Sequence, residues 1–427
     1  MIDRLDIPKT WEVKKLESLI KVALGGDWGK DTTHEDASFE LAYCIRGSEM
    51  RNWDEEKGRT ASLRKIKKSS IENRKLREGD ILVEISGGGP EQPVGRTVLI
   101  DKTVMNFEPT IPKLCTNFLR LIRPIEEVNS KFLNIYLKFF YRSGEIVKYQ
   151  GGSNNLRNLK FPDYIKIDIP IPSVLLQQQI VSKIEELFSE LDKGIEELKT
   201  AQQQLKVYRQ AVLKWAFKGK LTNEDVKEGE LPKGWKHAKI GEVCKCIVPN
   251  RDKPKSFSGD IRWITTPNLT ENFIKLNYSN LNLGLTQEEV RQYNARVIPV
   301  DSVIMTCVGT FGLSAVVEKP IVINQQLHAF ITNDKVHPKY LAYCIQYSKH
   351  YFESKSTSTT IQYLNKENCN SMPFPLCSIE AQQQIVQEIE SRLSVCDKIE
   401  ETITNSLKQS EALRQSILKK AFEGKLI

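Results

Sequence analysis

One glycine-rich segment near the start of the chain has the residue types of a phosphate-binding loop. Residues 24–33 read Leu-Gly-Gly-Asp-Trp-Gly-Lys-Asp-Thr-Thr. A phosphate loop needs four residues between its first glycine and the Gly-Lys pair, and then Ser or Thr, so that amides and a hydroxyl reach the phosphates and magnesium. Here Gly25 is one residue too close and Asp31 stands where the hydroxyl is required. An ATPase that uses this loop is therefore the weakest of three functions that the sequence leaves open.

The other patterns of an enzyme active site are missing from the sequence. The five histidines form no HExxH pair for zinc and no partner set for nucleophilic catalysis. The glycine-rich cofactor loop and the Asn-Pro-Pro-aromatic motif of a self-contained methyltransferase are also missing. Nine scattered cysteines without a CxxC pair argue against a zinc ribbon, and Cys244 and Cys246 are predicted to be buried thiols. We therefore predict a chain that is not an enzyme and holds neither a metal nor a cofactor.

The composition favours several domains and permits a polyanionic partner. A length of 427 residues indicates two to four domains, at roughly 100 to 200 residues each. The 62 basic residues exceed the 54 acidic ones, and because basic side chains release counterions from phosphates, this excess permits nucleic-acid binding without requiring it. Residues 1–6 carry acids and no run of 18 apolar residues occurs, so we expect no signal peptide, no membrane span and a cytoplasmic location.

Polar loops in both halves of the chain carry groups suited to DNA. Amide side chains can bond adenine edges bidentately, and arginine can do so with guanine. On this basis we predict DNA contacts for Arg46, Ser86, Gln92, Arg96, Asn154, Asn155 and Arg157 in the first half, and for Thr310, Gln325, Gln326, Thr359, Thr360 and Gln362 in the second. The basic run Arg64, Lys65, Lys67 and Lys68 is predicted to contact phosphates, because lysine is a point charge suited to the DNA backbone. The alternatives are turn-forming or buried polar residues for the loops and a solvated face for the basic run.

A duplicated segment must position these loops. Gln-Gln-Gln-Ile-Val at 177–181 begins a run that ends with Ala-Phe-Lys-Gly-Lys-Leu at 216–221, and the same frame returns at 382–386 and 421–426. Both ends give one offset (382 − 177 and 421 − 216 are each 205), and such a constant length suits a spacer. Apolar residues keep a seven-residue frame typical of a coiled coil. In the first copy they are Ile184, Leu191, Leu198, Leu205 and Val212, with partners Ile180, Leu187, Ala201, Tyr208 and Trp215; in the second they are Ile389, Cys396, Ile403 and Ile417, with partners Ile385, Ile399 and Leu413.

The charge distribution predicts how the two copies pair. Residues 185–197 hold six acids and one lysine, whereas residues 198–221 hold six basic residues and no acid. The second copy is graded in the same direction, so only antiparallel pairing within the chain places each acidic half opposite a basic half. The alternative explanation is that each gradient merely complements its own helix dipole.

The segments that precede the two helices also repeat. Ile7-Pro-Lys-Thr-Trp11 is echoed by Leu231-Pro-Lys-Gly-Trp235, and the strand and loop of residues 79–95 correspond to residues 301–312. We predict globular domains at 1–172 and 223–377 and spacer helices within 173–222 and 378–427, with Ser173 as N-cap and Gly219 just beyond the first helix. The expected fold is α/β, in the sense of α+β. Two β-rich domains are separated by two long helices that form an intramolecular antiparallel coiled coil, with a pseudo-twofold axis.

The order of domain, helix, domain and helix, with Gln-Gln-Gln-Ile-Val at each helix start and Ala-Phe-x-Gly-Lys-Leu at each helix end, resembles the specificity subunits of type I restriction-modification enzymes. The resemblance covers essentially the whole chain. It implies two target recognition domains that read the two parts of an asymmetric, interrupted duplex DNA sequence, with the helices as a ruler. It also implies two methyltransferase subunits that use S-adenosylmethionine, and restriction subunits that use ATP and magnesium to translocate and cut DNA.

Residues at the helix ends are candidates for docking the methyltransferase subunits. The predicted set is Gln177, Gln178, Gln179, Trp215, Phe217, Gln382, Gln383, Gln384 and Phe422. For the aromatic members, packing on the adjacent domain is the alternative interpretation. A coiled-coil scaffold or adaptor whose two domains bind proteins is the rival function from another class.

Overall fold

The computed structural model describes residues 5–89, 92–152, 157–223, 225–227, 229–250, 253–271, 273–278, 283–356 and 362–427. The chain divides into two units, one of residues 1–197 with 406–427 and the other of residues 198–405. Each unit therefore combines one globular domain with a part of both long helices. Within the described residues, no helix is long and apolar enough to cross a membrane.

The first domain consists of short strands and helices. Its strands are β1 (Glu12–Lys15), β2 (Ile20–Gly25), β3 (Phe39–Ile45), β4 (Ser62–Lys67), β5 (Ile81–Glu84), β6 (Ser86–Gly88), β7 (Thr97–Leu99), β8 (Lys113–Cys115), β9 (Leu119–Pro124), β10 (Gln150–Gly151), β11 (Arg157–Leu159) and β12 (Asp168–Ile171). Its α-helices are α1 (Trp53–Glu56), α2 (Lys68–Arg74), α3 (Lys102–Asn106), α4 (Ser130–Arg142) and α5 (Phe161–Tyr164). The long helix α6 (Val174–Phe217) follows, with 44 residues.

The second domain has the same kinds of element. Its strands are β13 (Lys236–Lys239), β14 (Lys245–Ile247), β15 (Ile261–Ile264), β16 (Gly284–Leu285), β17 (Val297–Ile298), β18 (Val303–Thr306), β19 (Ser314–Val316), β20 (Ile321–Ile323), β21 (Leu327–Ile331) and β22 (Pro373–Leu376). Its α-helices are α7 (Ile240–Val243), α8 (Gln287–Gln292), α9 (Pro338–Tyr347), α10 (Lys349–Lys355) and α11 (Lys366–Asn370). The second long helix, α12 (Ile379–Phe422), also has 44 residues.

The two domains share one strand order. The four-stranded sheet runs β2-β9-β5-β7 in the first domain and β14-β21-β18-β19 in the second. Beside it, β4-β3-β8 corresponds to β16-β15-β20, and the pairs β3 with β8 and β15 with β20 are both parallel. An antiparallel pair joins the beginning and end of each domain, β1 with β12 and β13 with β22. The prediction that the scaffold repeats is confirmed, and so is the α/β fold class with its long helices.

The buried stripe of each long helix departs from the predicted seven-residue frame. In α6 the frame predicts that Tyr208 and Trp215 are buried, which is wrong, because each is 37% exposed. The next residues, Arg209 and Ala216, are buried instead. A straight helix drifts by about 20° per heptad relative to a strict repeat of seven, so over several heptads the buried position passes to the next residue. The frame residues of α12 that are exposed in the same way are Ile399 and Leu413.

Two arginines at equivalent positions of the repeat hold the long helices together. In the second unit, Nη2 of Arg209 in α6 donates to Asp397 and Glu400 in α12, at 2.7 Å and 3.0 Å. In the first unit, Arg414 in α12 pairs with Asp192 in α6 and lies over the Phe188 ring. Late residues of one helix therefore contact early residues of the other within each unit, as the antiparallel prediction requires.

The first glutamine of each repeated motif ties the start of a long helix to a domain. Oε1 of Gln177 accepts a hydrogen bond from the N–H of Asn129, the N-cap residue of α4, and its Nε2 donates to the carbonyl of Pro172. Gln382 repeats the arrangement with the N–H of His337, the N-cap residue of α9, and the carbonyl of Cys377. Both glutamines are fully buried. Each long helix therefore starts in a fixed orientation to the domain that precedes it.

The end of each long helix packs on a domain helix as well. Phe422 at the end of α12 contacts Tyr136 in α4 at a ring-centroid distance of 4.9 Å, and Phe217 at the end of α6 contacts Tyr340 in α9 at 5.1 Å. Gly424 follows α12 at a positive φ, and a Cβ there would lie 2.5 Å from the ring of Pro8. The first domain therefore holds the start of α6 and the end of α12.

We expect the substitution Gln177→Ala to reduce the free energy of unfolding by at least about 1–3 kcal/mol, because it leaves buried backbone groups without their hydrogen bonds. Gln178→Ala is the matched control, since Gln178 is exposed, and we expect it to change the value by less than about 0.5 kcal/mol. Urea unfolding of the two variants measures the difference. Equal effects of the two substitutions would contradict the buried role of Gln177.

Candidate nucleic-acid interface

A cleft of about 530 Å³ opens in the first domain where several strands begin or end. Its walls come from the segments after β2 and β3, the ends of β5 and β6, and the segments before β7 and β9. Three of the predicted DNA-contacting residues, Arg46, Ser86 and Arg96, lie in these walls. The full lining is Trp28, Arg46, Gly47, Ser48, Arg51, Glu84, Ser86, Gly87, Arg96, Thr116, Asn117 and Phe118.

Arg96 is fixed by a buried carboxylate at the end of β5. Its Nε donates to Oε2 of Glu84 at 2.8 Å, and its Nη2 donates to Oε1 of the same residue and to the carbonyl of Gly47. The side chain of Glu84 is only 3% exposed. Hydrogen bonding to this carboxylate raises the pKa of the Arg96 guanidinium. The guanidinium therefore stays charged and has one orientation in the cleft.

Arg46 is held in the same way by a second buried carboxylate. Its Nε donates to Oε1 of Glu49 at 3.0 Å, and its Nη2 donates to Glu49 and to the carbonyl of Thr60. The side chain of Glu49 is 2% exposed, whereas that of Arg46 is 42% exposed. The hydrogen bonds to Glu49 raise the pKa of Arg46. Two guanidiniums thus line one cleft, each with a buried acid behind it.

An aromatic ring is displayed at the rim of this cleft. Phe118 is 57% exposed, although its backbone is fixed, because its carbonyl accepts hydrogen bonds from the N–H groups of Ile85 and Ser86. Thr116, two residues earlier, is buried, and its hydroxyl has no partner among the described residues. An exposed ring on a fixed backbone, in a cleft that also holds hydrogen-bond donors, is suited to contact with a flat ligand.

The predicted basic run lies on β4 and the start of α2. Lys67 and Lys68 are exposed, and Lys68 is 3.8 Å from Glu40. Lys65 is half-buried, and its backbone pairs with that of Lys30. Arg64 is largely buried, lies over the ring of Trp28 and pairs with Asp31. The two exposed lysines are therefore the members best placed for phosphate contact.

The other candidates of the first domain lie around β6 and β11. Arg157 is opposite Gly88 in the antiparallel pair of these strands, and the Ser86 hydroxyl donates to Oδ1 of Asn158 at 2.6 Å. Gln92 is exposed in the segment before β7. Asn154 and Asn155 lie outside the described residues.

In the second domain the candidates gather beyond the end of β18. The N–H of Cys307 donates to the carbonyl of Gln326, and that of Gly309 donates to the carbonyl of Gln362. Asn324 donates to the side-chain oxygen of Gln326 at 3.1 Å. The exposed candidates here are Thr310, Gln325, Gln326 and Gln362, and Thr359 and Thr360 lie outside the described residues. The structure thus brings amide side chains together at this point.

The candidate partner-binding residues at the helix ends separate into two groups. Gln177, Gln382, Phe217 and Phe422 are buried inside their own units. For the two phenylalanines this matches the packing alternative, and the two glutamines are fully used by backbone hydrogen bonds. The exposed members of the set are Gln178, Gln179, Trp215, Gln383 and Gln384.

The segment that resembles a phosphate loop uses its amides within the protein. The N–H of Asp27 donates to Cys115, that of Lys30 donates to Lys65, and that of Gly29 donates to Oδ1 of Asp27. Among the described residues, no cluster of three or more His, Cys, Asp or Glu side chains can hold a metal ion. Cys244 and Cys246 are buried, and burial raises the pKa of Cys244 to about 12.

Functional residues that were not predicted from the sequence include Glu84 and Phe118, which line the cleft, and Glu49, which holds Arg46. Glu84 ends the apolar run Ile-Leu-Val-Glu of a buried strand, and an acid at such a position signals a buried ion pair. Glu49 is only three residues after Arg46, so this pairing is local, whereas only the folded chain places Phe118 beside Ser86.

Comparison with known proteins gives a consistent result. The family model described as "Type I restriction modification DNA specificity domain" matches residues 8–200 and 232–409. The chain is 23% identical to the StySPI specificity subunit of Salmonella potsdam, over 100% of this chain and 91% of that protein. It is 23% identical to the EcoKI specificity subunit of Escherichia coli K12, over 98% and 90%.

Solved structures share the fold. A chain from a study of complex assembly and conformational transition of the type I R-M system has a TM-score of 0.74 at 18% identity, covering 98% of this chain and 99% of that chain. The HsdS subunit from Thermoanaerobacter tengcongensis has a TM-score of 0.62 at 18% identity, covering 98% of both chains.

We expect Arg96→Gln to reduce the free energy of unfolding by about 3–5 kcal/mol, because it leaves the carboxylate of Glu84 buried without a counter-charge. The double substitution Arg96→Gln with Glu84→Gln removes both charges and should recover most of this loss. Lys131→Gln, which breaks the exposed pair of Lys131 with Glu185, is the control and should change the value by less than about 1 kcal/mol. Urea unfolding compares the variants, and a double variant as unstable as the single one would contradict the ion-pair explanation.

Proposed function

This chain belongs to the family of type I restriction-modification DNA specificity proteins, and on that premise we propose that it reads two separate segments of one DNA duplex, one with each globular domain. The main support for this proposal is that the two domains have the same order of strands in their sheets but present different side chains. The first presents arginines in a cleft and the second presents amides beyond β18. Guanidinium and amide groups suit different base edges. The two half-sites therefore differ in sequence, and the complete site is asymmetric.

The long helices serve as the spacer in this proposal. An uninterrupted helix of 44 residues is roughly 66 Å long at 1.5 Å per residue. A rigid connector of constant length converts a distance in the protein into a fixed number of base pairs between contacted segments. The buried glutamines and phenylalanines at the helix ends support this role, because they fix each helix end to a domain.

Partner subunits supply the chemistry. In this proposal the chain carries no catalytic centre or cofactor of its own and recruits two methyltransferase subunits, which use S-adenosylmethionine. In the complete complex it also works with restriction subunits that use ATP and magnesium. The exposed residues Gln178, Gln179, Trp215, Gln383 and Gln384 are the proposed contacts with the methyltransferase subunits. A scaffold that binds only proteins is not supported, because the family model matches both halves of the chain.

Exchange of one domain tests the division of labour. The complex with methyltransferase subunits should first prefer one duplex over random competitor DNA at physiological salt; no preference would overturn the proposed function. Replacing residues 233–370 with the corresponding domain of another family member should then change one half-site of the methylated sequence and leave the other unchanged. Sequencing of methylated host DNA reads both halves, and a change in both would refute independent reading.

The lysines of the basic run should contribute charge rather than sequence preference. Replacing Lys67 and Lys68 by Gln should lower the slope of log affinity against log salt by roughly 2, at about 0.9 for each lost phosphate contact. The relative affinities of different duplexes should stay the same. The control replaces Lys14 and Lys15 on β1, which are not among the predicted contacts, and should leave the slope unchanged. An equal change in both variants would show a general charge effect instead of local contacts.

A further inference from the structure

Two arginines of the first-domain cleft have part of their hydrogen-bonding capacity unused. In both Arg46 and Arg96, the Nε and Nη2 groups are occupied by a buried glutamate and a backbone carbonyl. The Nη1 groups have no partner among the described residues. Arg96 also donates to the carbonyl of Gly47, the residue next to Arg46, and both arginines line the same cleft. The cleft thus holds two guanidiniums, each of which is oriented by a buried carboxylate.

Electrostatics argue against a phosphate as the ligand of this pair. Glu49 and Glu84 cancel the charges of Arg46 and Arg96, so the four side chains together add no net charge to attract a polyanion. A phosphate contact requires only a flexible, positively charged side chain whose charge is not neutralised by a neighbouring acid. Arg51 is such a cation in the same cleft, since it is exposed and its side chain has no partner among the described residues. Arg46 and Arg96, whose charges are neutralised, offer hydrogen-bond donors with a fixed orientation. Recognition of a base edge needs donors of this kind.

The shape of the cleft agrees with a base as the ligand. Phe118 lines the same cleft, and its exposed ring provides an apolar surface for a flat ligand, which a phosphate would not use. Guanidinium donors in one cleft match the O6 and N7 acceptors of guanine, which guanidiniums recognise in the major groove. Adenine presents a donor next to its N7 and would face a donor of the protein.

The second domain has no buried acid at the end of β18, the strand that corresponds to β5. Glu84 is opposite Leu119 in the pairing of β5 with β9, and Thr306 is opposite Leu327 in the corresponding pairing of β18 with β21. Thr306 therefore occupies the position of Glu84, and its buried hydroxyl has no partner among the described residues. The buried acid belongs to the first domain and is not part of the common scaffold.

We propose that Arg46 and Arg96 read a guanine in the half-site of the first domain, and that Glu49 and Glu84 are positioning residues that hold the two guanidiniums for this contact. The inference rests on the proposed function, because it assigns a base to one of the two reading domains. The half-site of the second domain does not use this contact.

A scan with 7-deazaguanine tests the inference on the unaltered protein. Each guanine of the methylated sequence is replaced in turn in a duplex, which removes the N7 acceptor and leaves base pairing intact. The complex with its methyltransferase subunits should bind at least about fivefold more weakly when one particular guanine of one half-site is replaced. If the complex prefers its site but no guanine of the first half-site responds, or that half-site contains none, the inference is overturned while the proposed function stands. A complex without any preference would instead overturn the proposed function.

Variants then assign the sensitive guanine to the cleft. The double variant Arg96→Gln with Glu84→Gln leaves no unpaired buried charge, and it should reduce the ratio of affinities for the natural and the deaza duplex, because only Arg46 remains to contact the guanine. The control is Arg123→Gln with Asp80→Asn, which removes a buried bidentate ion pair from the same sheet outside the cleft lining. This control should keep the full ratio between the two duplexes, whatever its stability. Loss of the ratio in the control, or its retention in the cleft variant, would overturn the assignment.

The positioning role of the glutamates has its own measurement. Glu49→Gln keeps the size of the side chain but weakens its hold on Arg46, so the ratio between natural and deaza duplexes should fall. Binding to random DNA should stay the same, because a base contact does not contribute to it. A purely structural defect would lower both affinities together and leave the ratio unchanged, and that result would contradict the positioning role.

Discussion

The arrangement of each unit depends on the two places where long helices are fixed to a domain helix. In the first unit, the amide of Gln177 satisfies the N-terminal N–H of α4 at the start of α6, and the ring of Phe422 packs on α4 at the end of α12. Gln382 and Phe217 do the same on α9 in the second unit. Burial of these polar groups is tolerated because each has a partner, and their loss costs more than an exposed hydrogen bond would. One domain thus holds opposite ends of two different helices.

This attachment explains why the repeated motifs carry a buried polar residue at one end and a buried aromatic ring at the other. The pairing of Arg209 with Asp397 and of Arg414 with Asp192 uses the same positions of the repeat with their roles exchanged, so one pair of residue types serves both units. The side of each domain that faces these helix ends is therefore constrained in sequence. The loops at the strand ends make no such attachment, and the candidate DNA residues that the two domains carry there are of different types.

Sequence periodicity and capping signals predict the long helices well, because such signals are local. The spacing places the first helix after Ser173 and before Gly219, and α6 spans Val174–Phe217, with Gly219 at a positive φ. The strict seven-residue frame fails at Tyr208 and Trp215, because the drift of a straight helix accumulates along its length. The candidate DNA residues Arg46 and Arg96 are identifiable by type, but Phe118 is not, since nothing local to it reveals which residues the sheet places beside it. Glu49 is only three residues after Arg46, but this spacing alone does not show that its carboxylate is buried. From the sequence, Gln177 is expected to be an exposed polar residue. It is buried only because the folded chain brings backbone groups such as the N–H of Asn129 to its side chain.

The difference between Glu84 and Thr306 shows how such a scaffold can change what it reads. Glu84 ends β5 and Thr306 ends β18, the equivalent strand of the other domain. Both residues are buried, and each is paired with a leucine on the neighbouring strand, β9 or β21. A buried acid is stable there only with a cation, and Arg96 supplies it from the segment before β7. Replacing the acid and the arginine together by neutral residues should leave the strand order and the helix attachments unchanged, because Glu84 and Arg96 contact neither long helix in their hydrogen bonds. A change of either one alone leaves a buried charge or an untethered guanidinium. If Arg96 contacts a base as proposed, recognition at this position should therefore change through paired substitutions, in which the acid and the arginine are gained or lost together.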